Sequence, residues 1–187
     1  APYTVSFSFS YITQIEWLAG RGYNTFDMTV PVTYQSDSQL VHGELLLVIW
    51  ENMADPIMTG REELGFAKIY ADIPEMQCVG NNIICRANWD GFEFASMTFK
   101  NLSEASPADL ASDAKGVEPS AGTLHYKYFP KTGCPGEADA AYVALTPANS
   151  PNLKIEQVRI AESAAITINR ATWEQLPTQV NIVNSLA

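Results

Sequence analysis

The chain is poor in cationic residues, cysteine, histidine and long apolar runs, and each shortage removes a class of function. Lys and Arg together number 11 against 21 Asp and Glu, for a formal net charge of −10, and the pI is near 4.5. Nucleic-acid binding needs a concentrated basic surface on phosphates, and no Lys/Arg cluster exists, so that partner is excluded. No apolar run reaches membrane-spanning length; the longest candidate, Leu40 to Trp50, is broken by His42 and Glu44. A soluble cytoplasmic domain with no membrane partner is expected, and Tyr3 to Tyr11 reads as a strand rather than a signal peptide. The 3 cysteines and 2 histidines lack zinc-like spacing, so no metal is inferred. Cys78 and Cys85 flank an expected turn at Asn81-Asn82, and a two-residue hairpin loop there would set them face to face within disulfide reach. The odd count and the lack of a secretion signal favour reduced thiols.

What the chain does have is apolar content and strand patterning. A length of 187 residues with 47% hydrophobic residues suits a single domain over 1–187 with a sizeable core. The segments Tyr3–Ile12, Tyr23–Tyr34, Gln39–Trp50, Phe66–Ile73, Asn82–Asn88, Phe92–Lys100, Gly122–Phe129, Ala141–Leu145 and Lys154–Asn169 are β-branched or aromatic and bounded by turn formers. Helices are expected only near Pro56, over Ile12–Leu18 and over Thr172 to Leu186. Many strands without a βαβ rhythm predict a mainly β, α+β chain, arranged as an antiparallel sheet system or barrel. Asn101 to Gly122, rich in Ser, Ala, Asp, Pro and Gly, reads as a mobile connector or a lid.

One lysine stands apart. Asp55-Pro56 predicts a helix start capped by Asp55, and Gly65 its stop, since glycine accepts the left-handed geometry that ends helices. From Phe66 the alternation puts Phe66, Lys68, Tyr70 and Asp72 on one strand face and Ala67, Ile69, Ala71 and Ile73 on the other. A lysine among aromatic rings is a candidate nucleophile; a surface lysine on an edge strand is the alternative. His125 reads as a strand side chain with a local hydrogen bond rather than as a general base.

The spacing of Gly60-Arg61-Glu62 from Lys68 resembles the signature of the acetoacetate decarboxylase family, in which Gly-Arg-Glu is followed after a short spacer by Pro-Lys and the lysine forms an imine with substrate. Ala67 stands in place of the proline. Trp17 to Asn24, Leu124 to Pro130 and Arg170 to Thr178 resemble further family segments in the same order. The resemblance implies a closed, cone-like β-barrel with a few peripheral helices, no cofactor, a small oxo-acid substrate and a homo-oligomer. It also implies that the chain is a fragment or a relative shortened at both ends. Lys68 is the expected catalytic residue, and Tyr23, Thr25, Phe66, Tyr70, Arg61 and Glu62 are the expected substrate-binding residues.

Departures from the family pattern bear on the reaction. A second lysine commonly follows the first, and here that position is Ile69; desolvation by Phe66 and Tyr70 is then the expected means of keeping the Lys68 amine neutral. This family is itself the standard example of an amine activated in that way. Thr25 stands where the decarboxylases place a glutamate, and Ser10 at or near a second acidic position. The family's substrate-handling arginine comes from residues that precede Ala1. The expectation is a Schiff-base lyase on a small oxo acid, decarboxylation of a β-keto acid first. Aldolase/dehydratase chemistry on pyruvate-like substrates, through the same imine, is the second reading. A non-catalytic barrel that binds a small molecule is the third.

Overall fold

Alternating apolar and polar residues build most of the chain into strands. The computed structural model describes residues 4–35, 40–113, 120–148 and 154–170. In chain order the strands are β1 (Ser6–Ile12), β2 (Tyr23–Gln35), β3 (Leu40–Glu51), β4 (Lys68–Tyr70), β5 (Gln77–Val79), β6 (Asn82–Trp89), β7 (Phe92–Lys100), β8 (Ser103–Glu104), β9 (Gly122–Pro130), β10 (Ala138–Pro147), β11 (Arg159–Ile160) and β12 (Ser163–Ile168). Helical structure is confined to a 3-10 turn (Glu16–Leu18), α1 (Ala54–Thr59) with a following π-helical turn (Gly60–Leu64), and α2 (Pro107–Asp113). The chain is mainly β with few helices. None of these helices is long and apolar enough to cross a membrane.

The chain divides into two compact units, Ala1–Tyr70 with Glu104–Ile160 and Ala71–Ser103 with Ala161–Ala187. The first holds a six-stranded sheet in the order β1-β2-β3-β9-β10, with β4 also on β3. The second holds a four-stranded sheet in the order β12-β7-β6-β5. The register of the larger sheet separates two faces. On one, Phe26 pairs with Phe9 and with Trp50 across its two neighbours, and the rings stack at 4.4 Å and 5.1 Å. On the other face lie Thr25 and Asp27 of β2 with Ile49 and Glu51 of β3.

Several expectations are corrected. Among the described residues no sheet closes into a barrel: closure needs the first and last strands to share a ladder, and β1 and β10 end the order without pairing. The pairing is not wholly antiparallel, because β3 runs parallel to β4 at Ile49–Glu51 and to β9 at Glu44–Leu45. Parallel neighbours need a long crossover, and the stretch from Asn52 to Ala67 supplies one through α1. The strand expected over Phe66–Ile73 is only Lys68–Tyr70; Ala71 and Ile73 are buried in the second unit. Helix α1 starts at Ala54, one residue before Asp55, so Asp55 lies in the first turn instead of capping it. The helix expected over Ile12–Leu18 is cut to one turn by left-handed backbone at Ala19 and Gly20. The hairpin turn sits at Gly80-Asn81, which sets Cys78 opposite Ile83 and leaves Cys78 and Cys85 as free thiols. The segment expected as a connector carries α2. The C-terminal helix expected over Thr172 to Leu186 lies outside the described residues.

Phe26 is 1% exposed and centres the aromatic stack. Truncating it removes the ring that bridges Phe9 and Trp50 and leaves a cavity between them. Phe26→Ala should therefore lower stability by about 3–5 kcal/mol, measured by denaturant unfolding.

Candidate active site

The site is assembled by the turn that carries the chain from β3 to β4. After α1 the helix widens into the π-helical turn, closed by Gly65 in left-handed geometry at φ +78. The Phe66 amide donates back to the Gly60 carbonyl at 2.9 Å. Arg61 Nη1 donates to the Lys68 carbonyl at 2.7 Å and so fixes the start of β4. Parallel pairing then sets Lys68 beside Ile49.

The Lys68 side chain runs under Gly60. A Cβ built on Gly60 would collide with Lys68 Cε and lie 2.7 Å from Nζ, so glycine leaves the room that the arm occupies. The ammonium nitrogen ends 2.7 Å from Glu51 Oε1 and donates to the Pro56 carbonyl at 3.1 Å. Lys68 is 9% exposed and Glu51 0%. The rings of Phe66 and Tyr23 stand 5.7 Å and 6.0 Å from Nζ, near the limit of cation–π attraction.

His125 supports the far side of the turn. Its ring stacks on Phe66 at 4.0 Å, and Nε2 lies 2.9 Å from the Leu64 carbonyl. A carbonyl only accepts, so Nε2 carries the proton. The bond joins β9 to the π-helical turn, 61 residues away in sequence, rather than being local, which corrects that expectation. Lys127 Nζ adds a second tie, donating to the Glu63 carbonyl at 2.7 Å.

A cavity of about 420 Å³ opens over this face of the sheet. Of the residues nominated from sequence, Lys68, Tyr23, Thr25 and Phe66 line it together. Arg61 and Glu62 are exposed on the turn, where Arg61 acts through the Lys68 backbone, and Tyr70 is 47% exposed outside the lining. Desolvation of Lys68 thus comes from Phe66, Tyr23 and the sheet floor rather than from Tyr70. Among the lining residues that the sequence reading did not nominate, two are acidic, Glu51 and Asp27. Asp27 shares the alternation of Tyr23 and Thr25, so that pattern already carried its signal. Glu51 ends the apolar run of β3, where an acid reads as a strand terminus.

Burial governs the electrostatics. It pushes the Glu51 carboxyl up from its ordinary range, and the hydrogen bond and charge of Lys68 only partly oppose it. Oε2 of Glu51 has no hydrogen-bond partner among the described residues. The Tyr23 phenol is raised by burial and, second, by the Glu51 charge. Burial alone lifts Asp27 to about 6. Among the described residues no group of three or more His, Cys, Asp or Glu side chains is arranged to hold a metal ion.

A family model described as acetoacetate decarboxylase (ADC) matches residues 2–187. The chain belongs to the acetoacetate decarboxylase family. Several solved structures share its fold. The acetoacetate decarboxylase of Legionella pneumophila superposes with a TM-score of 0.66 at 15% identity, covering 93% of this chain and 63% of that one. The enduracididine biosynthesis enzyme MppR, complexed with the condensation product of pyruvate and imidazole 4-carboxaldehyde, gives 0.59 at 11% identity, covering 92% and 66%. An acetoacetate decarboxylase-like enzyme from Sphingomonas wittichii gives 0.58 at 15% identity, covering 88% and 62%. The chain thus spans just under two thirds of the length of these three structures. No curated protein matches it.

Two predictions follow from this geometry. Gly60→Ala should force the Lys68 arm out of its channel, costing about 1–3 kcal/mol in thermal unfolding and exposing Nζ to faster acylation in peptide mapping. The raised Asp27 carboxyl gives a pH signature of known sign. A carboxyl whose folded value lies above its unfolded value favours folding below about pH 4, and that contribution is lost as pH rises through about 6. Asp27→Asn should therefore be more stable than wild type at pH 7.5, by up to about 3 kcal/mol, with the curves converging below about pH 4.

Proposed function

We propose that this chain is a lysine-dependent carbon–carbon lyase that forms an imine between Lys68 and a small oxo acid, with decarboxylation of a β-keto acid as its first reading. The observation that carries the proposal is the buried Lys68–Glu51 pair at 2.7 Å, facing a cavity of substrate size. In a desolvated site the charge-separated pair loses ground to amine plus carboxylic acid. Moving one proton from Nζ to Oε1 yields a neutral nucleophile with an acid beside it.

The steps then balance. Neutral Nζ adds to the substrate carbonyl carbon and passes one of its protons to the oxygen. The Glu51 acid protonates the resulting hydroxyl, which departs as water and leaves an iminium. The bond to the carboxylate carbon breaks, carbon dioxide leaves, and its electron pair moves into the iminium to form an enamine. A proton from solvent adds at carbon and regenerates an iminium; water then releases the ketone and the neutral amine, and the proton freed in that hydrolysis returns to the Glu51 carboxylate. Glu51, with one oxygen on Nζ and the other without a partner, is suited to carry these protons. It pairs directly across from Thr25, the position where the family pattern has glutamate, so the acid is supplied from the neighbouring strand.

The second reading, aldolase or dehydratase chemistry on a pyruvate-like substrate, uses the same imine. It is favoured by the likeness to MppR, whose structure holds a pyruvate condensation product. It differs only in whether the enamine takes up a proton or an aldehyde carbon.

Incubation with a keto acid and cyanoborohydride should add mass to the Lys68 peptide, and Lys68→Ala should abolish the adduct. Glu51→Gln should slow adduct formation by about 10²-fold or more, as expected for the loss of a positioned acid–base group. Labelling that persists in Lys68→Ala rules out the imine at this residue. An unlabelled wild type with every carbonyl compound tried leaves the cavity as a binding site.

A further inference from the structure

Asp27 has no part in the chemistry above. It lines the cavity, and burial alone perturbs it; among the described residues no hydrogen bond or ion pair engages its carboxylate. A carboxylate held half out of water without a partner costs free energy, so it is an acceptor awaiting a donor.

Its place is set by register. Asp27 pairs with Ile49, and Ile49 pairs with Lys68, so the three form one row across β2, β3 and β4. Neighbouring strands lie about 4.8 Å apart, which separates the Asp27 and Lys68 backbones by about 10 Å. Glu51 sits one row away and is already engaged by Nζ. Asp27 therefore addresses not the atoms next to the imine but a group several bonds further along a bound molecule. Around it the lining is hydroxyl and aliphatic, with Thr25, Thr29, Leu46 and Ile49, so the carboxylate supplies the local charge.

We propose that Asp27 forms a second subsite that selects carbonyl substrates bearing a cationic group, such as an ammonium or guanidinium, several bonds from the reacting carbon. The subsite rests on the imine reading in that Lys68 holds the carbonyl end. The other titratable groups lining this cavity are Glu51, Lys68 and Tyr23, which gather at the carbonyl end. A ratio between two matched ligands cancels their influence.

The test compares two methyl ketones with three methylene groups between the carbonyl and either a trimethylammonium head or its uncharged tert-butyl counterpart. Neither can cyclise. At pH 7.5, half-maximal cyanoborohydride trapping on Lys68 should require about tenfold less of the cationic ketone, a modest yield for one poorly hydrated carboxylate. The ratio should fall close to one in Asp27→Asn and, in wild type, at pH 5. Serine at the same position, Asp27→Ser, gives a second variant if the asparagine protein folds poorly. Calorimetric titration without reductant reads the same preference apart from the covalent step. Trapping of both ketones at equal concentration, or a preference that survives Asp27→Asn, overturns the subsite. Calorimetric preference that depends on Asp27 without any trapping supports the subsite and overturns the imine reading instead.

Discussion

A charged amine and a carboxylate withdrawn from water against one another organise this molecule. Lys68 and Glu51 are both buried, and neither would be tolerated there alone, since removing either partner strands the other's charge in a poorly polarisable site. The surrounding features serve that pair. The crossover after β3 brings β4 back parallel so that Lys68 meets the strand ending in Glu51. Gly60 vacates the volume the lysine arm occupies, and the Pro56 carbonyl accepts a hydrogen bond from its nitrogen. Arg61, His125 and Lys127 spend their hydrogen bonds on backbone carbonyls, holding the turn and strand rather than facing a ligand.

Asp27 shows the opposite arrangement. Its carboxyl is desolvated without a partner, so it weakens the fold at neutral pH while adding a charge to the cavity. Sites that a fold keeps at its own expense are where ligand selection is usually found. The two acids on one face thus divide the work by what they touch: Glu51 the amine, Asp27 the empty space.

Much of this was legible in the sequence, and the rest was hidden for identifiable reasons. Period-two alternation located β2, β3, β6, β7 and β9 to within a few residues, because each has one face against apolar neighbours. Gly65 was legible as a helix stop because a left-handed residue was needed there. The short strand β4 was overextended, since alternation over Phe66–Ile73 continues although the chain changes unit after Tyr70. Tyr70 ends β4 and is exposed outside the cavity lining, which alternation alone does not reveal. Glu51 was illegible because its partner arrives through a parallel pairing, and register between strands joined by a long crossover is not encoded by local pattern. Barrel closure was likewise an inference about which strands meet, and the open order from β1 to β10 is a global property.

The π-helical turn has a consequence for how this site can vary in length. Side chains on a strand alternate faces with each residue, so the count from Gly60 to Lys68 has a parity. Tightening Gly60–Leu64 to an ordinary helical turn by deleting one residue would leave Lys68 and Glu51 themselves intact and still bring Ile69, not Lys68, to the inward position. A change of two residues would preserve the face but shift the lysine by one row along β3 relative to Glu51. The wide turn therefore works as a counting device, and tolerance to insertion here should follow odd and even numbers rather than size.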